Sequence, residues 1–122
     1  MARSVTRRQV AAAIAAVRAA GDEPDRETTA TAVRASLRWL AQTNPGKAVE
    51  IRVPPYAAVQ AMGGLTHTRG TPPNVIETDP VTWLGLVTGT VGWADAITDG
   101  RVTASGTRAD LSALLPLTDL DG

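Results

Sequence analysis

The sequence contains no cysteine, no phenylalanine, one histidine and one tyrosine. The first absence excludes disulfides, thiolate nucleophiles and thiolate metal sites together. A single imidazole, His67, would leave a metal ion only carboxylates, and no segment has the acidic density of a calcium or magnesium loop. Hydrolytic chemistry is poorly provided for as well. No Gly-x-Ser-x-Gly elbow occurs, and Ser4, Ser36, Ser105 and Ser112 sit in helix or strand patterns with no evident base. Glycine-rich phosphate loops of the Walker or dinucleotide type are also missing. The expectation is no catalytic residue, no metal and no cofactor.

Net charge is absent too: twelve Lys and Arg balance twelve Asp and Glu. A general nucleic-acid binder needs a cationic excess, so nucleic acid is not an expected partner. Arg3, Arg7 and Arg8 concentrate at the start, as a solvated helix end or a polyanion contact. No stretch approaches the ~20 apolar residues that span a bilayer, and residues 11–17 are too short and Ala-rich for a signal peptide. Stable membrane insertion is therefore not expected, and a cytoplasmic location follows by elimination.

What remains is a chain of 122 residues, 43% hydrophobic, with room for one domain. Its core must come from Val, Leu, Ile and Ala, with Trp39, Trp83, Trp93 and Tyr56 as the only rings. Such a core either closes completely or leaves an aliphatic cavity.

Residues 1–44 read as a helical hairpin. Val10, Ile14 and Val17 form one apolar stripe, stopped by Gly21-Asp22-Glu23-Pro24; Val33, Leu37 and Leu40 form the second, stopped by Asn44-Pro45-Gly46. Residues 47–117 read as a sheet with covering helices. Val49, Ile51 and Val53 alternate with charges, a half-buried strand ended by Pro54-Pro55. Residues 56–62 form a second strand, 65–68 its hairpin partner and 74–77 another strand. Thr78-Asp79-Pro80 starts a helix bearing Trp83, Leu84 and Val87 and ended by Gly89. A short helix over 92–98 presents Trp93, Ala96 and Ile97. Strand 101–105 comes next, with Val102 and Ala104 facing inward. Thr107 then caps a last helix, with Asp110 completing a capping box and Leu111, Leu114 and Leu115 as its stripe, closed by Pro116. The fold class is α+β: a mainly antiparallel sheet of about five strands, covered on one face by helices.

One segment concentrates polar chemistry, His67-Thr68-Arg69-Gly70-Thr71-Pro72-Pro73-Asn74. Arg69 suits an anionic head group, with His67, Asn74 and the hydroxyls completing its shell. The alternative is a rigid connection in which Arg69 pairs with Glu77 or Asp79 and Asn74 bonds backbone. Glu77 and Asp79, two apart, also invite reading as an acid-base pair, against Asp79 as a cap and Glu77 as a strand end.

Residues 79–89, 94–106 and 111–117 resemble, in order and spacing, the C-terminal signature of sterol carrier proteins: an apolar helix ending at Gly, a short helix, a strand and a leucine-rich helix. Residues 53–60 and 67–79 resemble the bacterial sterol-carrier-like subgroup found in actinobacteria. Eukaryotic carriers continue beyond the equivalent of Leu117 into a ligand-covering segment and a peroxisomal signal, whereas this sequence ends in Asp121-Gly122. The resemblance implies a sheet and helices around an apolar tunnel that accepts fatty acyl chains or sterols. On that reading Trp83, Leu84, Val87, Trp93, Ile97, Leu111, Leu114 and Leu115 line the tunnel, with His67, Arg69 and Asn74 as polar contacts. The same apolar residues would build any closed core. The alternative is therefore a ligand-free interaction module that pairs with itself or with an enzyme.

Overall fold

The computed structural model describes residues 4–63 and 74–117. Helix α1 (Arg7–Ala19) begins at a reciprocal cap: Gln9 N donates to Thr6 Oγ1 at 3.1 Å, and Thr6 N to Gln9 Oε1 at 2.8 Å. Val10, Ala13 and Ile14 are its buried residues, facing helix α2 (Arg26–Thr43). Asp25 caps α2 by accepting from Thr28 N at 2.7 Å, and the Thr28 side chain together with that backbone bond holds its carboxyl below the usual carboxylate value. This helix buries a broad face that includes Val33, Ser36, Leu37 and Leu40. It packs on strand β2 on one side and helix α3 on another.

Strands β1 (Val49–Val53), β2 (Ala57–Ala61), β3 (Asn74–Thr78) and β4 (Val102–Ser105) form one sheet in the order β2-β1-β3-β4. The β1–β2 and β3–β4 pairs are antiparallel, and β1–β3 is parallel. Period-two alternation gives the sheet two unlike faces. Ile51 pairs with Ile76 on the helix-covered face, whereas Arg52 pairs with Glu77 on the open one. There Arg52 Nε lies 2.9 Å from Glu50 and its Nη1 4.0 Å from Glu77, so the exposed face carries its own charge pairing.

Helix α3 (Pro80–Thr88) buries every residue from Thr82 to Val87, as a helix that is apolar all round must. Trp83 is wholly buried and is the largest such side chain. Its Nε1–H donates to Ser36 Oγ at 2.9 Å, while the Ser36 hydroxyl donates to Ala32 O at 2.7 Å. The one polar atom of the indole is thus satisfied inside α2. Gly89, at φ 90°, provides the left-handed stop of α3. Gly85 allows the next turn to fold back, since a Cβ there would stand 2.5 Å from Val91 Cγ2. Helix α4 (Trp93–Thr98) then packs beside β4.

Three expectations change. The described sheet has four strands, one of its pairings parallel, because the β1–β2 hairpin occupies one side of β1 and leaves the other to β3. The strand expected over 65–68 lies outside the described residues. Ala104 shares the helix-side face with Val102 but is exposed, because β4 is at the sheet edge among the described strands and little covers its far end. The last helix is reduced to a single turn over residues 112–114, and Thr107 caps nothing. Asp110 instead accepts from Ser112 N at 2.9 Å, and Leu114 N and Leu115 N both reach Leu111 O at 2.9 and 3.1 Å. The bond from the Ser112 backbone keeps the Asp110 carboxyl below its usual value. Pro116 offers no N–H and disfavours helical geometry at Leu115, so the few residues after Asp110 cannot repay the cost of a helical nucleus.

The Trp83–Ser36 contact makes a direct test of the core. Ser36→Ala leaves a buried indole N–H without an acceptor and should lower stability by about 1–3 kcal/mol in urea denaturation. Adding Trp83→Phe to Ser36→Ala should cost less than the sum of the two single changes. Strict additivity would show that the bond carries no coupling.

Candidate ligand-binding site

The residues expected to line a tunnel divide into two groups. Trp83, Leu84, Val87 and Leu111 are buried in the main core, with exposures of 0, 6, 2 and 0%. Trp93, Leu114 and Leu115 are half-buried and pack against that core from outside. Ile97 is 38% exposed and stands off it, since Ala96 is the residue α4 turns inward. The half-buried group belongs to α4 and the segment after β4. That segment is attached to α3 by Leu117 N donating to Val87 O at 3.0 Å. A deep apolar layer that includes α3 and Leu111 therefore carries an outer layer of half-buried side chains from α4 and the final turn.

His67 and Arg69 lie outside the described residues. Asn74 is buried and both ends of its amide are engaged: Nδ2 donates to Ala48 O and Oδ1 accepts from Arg108 N, each at 2.8 Å. Its side chain braces the entry to β1, the start of β3 and the chain after β4. Glu77 projects from the open sheet face toward Arg52, whereas Asp79 caps α3, so the two carboxylates do not form a pair. Asp79 accepts from Thr82 N at 3.0 Å and from Thr82 Oγ1 at 2.6 Å. Partial burial pushes its carboxyl up, but the Thr82 bonds together with the backbone N–H groups of Asp79 and Val81 outweigh it and hold it below the ordinary value of 3.8. Among the described residues no three His, Cys, Asp or Glu gather as a metal site would require.

Sequence reasoning passed over a second locus. A cleft of about 460 Å3 runs along the seam between α2 and β2, lined by Arg34, Arg38, Ala41, Tyr56 and Val59 among others. Another of about 580 Å3 lies between α1 and α2, and Arg34 and Arg38 line it as well. Arg34 Nε donates to Tyr56 O at 3.3 Å, with the guanidinium carbon 6.0 Å from the ring centroid. The signal was present in the sequence: two arginines four apart, with no acid three or four residues from either.

The family model described as bacterial SCP ortholog, SCP standing for sterol carrier protein, matches residues 25–117. The chain belongs to that family. The SCP match starts at Asp25, the cap of α2, and takes in the whole described sheet, α3, α4 and the final turn. Helix α1 precedes it. No curated protein matches the chain. No helix among the described residues is long and apolar enough to cross a membrane.

The Asp79 cap yields a pH test. A carboxyl whose folded pKa is depressed stabilises fully above its unfolded pKa, near 4, and loses that contribution as pH falls through the lower folded value. Asp79→Ala should therefore cost ~0.5–2 kcal/mol at pH 7. Its deficit relative to wild type should shrink in denaturation curves taken below about pH 4. A deficit independent of pH would place the loss in packing.

Proposed function

We propose that this single-domain protein is a cytoplasmic, non-catalytic module that binds or carries an apolar ligand, an acyl chain or sterol-like lipid. Membership of the SCP family from α2 through Leu117 carries the reading. The layered packing supports it. A ligand would displace the half-buried cover of Trp93, Leu114 and Leu115 and lie against Trp83, Leu84, Val87 and Leu111. Displacing the cover shifts Trp93 of α4, the final turn and the Leu117–Val87 bond, while a chain of methylenes restores apolar contact at about 0.8 kcal/mol each. His67 and Arg69 are the proposed partners of a polar head. Asn74, with its amide already bonded at both ends, would act by holding the frame.

Saturated fatty acids from eight to eighteen carbons provide the experiment, with Trp39→Phe as background so that indole emission reports Trp83 and Trp93. Emission should shift to the blue and saturate, with affinity rising with chain length until the site is full. Chains of ten or more carbons should reach roughly micromolar affinity after ordering costs. No saturable change at any length, with an unmoved melting temperature, would overturn the carrier reading in favour of a module that pairs with itself or an enzyme.

A further inference from the structure

Arg34 and Arg38 stand one helical turn apart on α2, on the ridge between two clefts that both of them line. Like charges at this spacing weaken a helix, and Arg34 and Arg38 have no acid at i±3 or i±4 to offset them. Among the described cations only Arg52 and Arg101 hold an acid, each at 2.9 Å. Among the described residues neither Arg34 nor Arg38 has an ion-pair partner, and half-buried Arg38 has no hydrogen bond either. Arg34 is oriented by its Nε bond to Tyr56 O, which leaves its terminal nitrogens available as a fork. Beside this pair, the α2–β2 cleft offers an apolar wall that includes Ala41, Ala57 and Val59, in a volume of about 460 Å3, within the usual range for small-ligand sites.

We infer that this cleft is a second binding site, for an oxyanion that carries an apolar chain: a carboxylate or phosphate monoester held by Arg34 and Arg38, its chain along the Ala41–Val59 wall. Guanidinium forks match both oxyanions bidentately. The site lies on α2 and β2, whereas the carrier reading concerns α3, α4 and the chain after β4, so each can stand without the other.

Decyl phosphate, decan-1-ol and inorganic phosphate, each titrated into 15N-labelled full-length protein, separate the contributions. Decyl phosphate should shift the amides of Ala57–Gln60 and the Arg34 and Arg38 side-chain resonances saturably. Decan-1-ol should leave them still, and inorganic phosphate should bind at least about tenfold more weakly, having no chain to bury. Arg38→Gln should weaken decyl phosphate at this cleft by about tenfold, and Arg34→Gln/Arg38→Gln by more. Amide spectra of both variants away from α2 and β2 should overlay wild type. Equal affinity for decyl phosphate and phosphate, or an unchanged affinity in Arg38→Gln, would overturn the assignment. So would shifts confined to the indole N–H signals of Trp83 and Trp93, which would instead support the interior carrier site. Shifts confined to the cleft would support this site while the carrier reading fails.

Discussion

Helices α2 and α3 are joined in the core through the hydrogen bond from Trp83 to Ser36. In a chain with so few rings, the indole supplies core volume that no aliphatic side chain in this sequence equals. An indole is tolerated at full burial only if its N–H finds an acceptor. Ser36 is that acceptor, and it qualifies because its own proton is directed back along α2 to Ala32 O. The bond therefore sets the rotation of α2 about its axis. With Ser36 turned inward, Leu37 and Leu40 face the core, and Arg34 and Arg38 are turned toward the outside.

From that orientation the rest of the molecule is built in layers. The sheet turns Ile51, Ile76 and Val102 toward the helices and leaves Glu50, Arg52 and Glu77 to water. Helix α3 is enclosed from Thr82 to Val87, and the chain beyond β4, anchored by buried Leu111, returns to it with half-buried Leu114 and Leu115. A binding module needs this contrast between a fixed interior and a lightly held exterior, because local opening draws on the least stable elements.

Elements whose start and stop are both written in local chemistry were legible in the sequence. The Asp79-Pro80 start and Gly89 stop bound α3, and Asn44-Pro45-Gly46 marks the end of α2. The turn after Asp110 was not, although Thr107, Asp110 and three leucines make a good local pattern. A capping signature marks where a helix can begin but carries no information on its length, and Pro116 arrives too soon. Ala104 shows the same limit for strands: alternation assigns its face correctly but not whether anything packs on that face at a sheet edge. The apolar candidates were legible as core residues, yet periodicity could not rank Trp83, wholly enclosed, against Trp93, half-covered. The Arg34–Arg38 cleft needed three dimensions, since Tyr56 and Val59 reach α2 only through sheet pairing.

The bracing role of Asn74 has a bearing on how the protein is made. Its oxygen waits for the backbone of Arg108, and the free edge of β3 waits for β4. At ribosomal speeds of roughly 5–20 residues per second, the stretch from Thr78 to Arg108 takes about two to six seconds to synthesise. Until β4 follows, the edge of β3 that it covers has no partner strand, the kind of edge that recruits foreign strands. Nascent-chain crowding and chaperone occupancy would then matter most for this protein between the emergence of its third and fourth strands.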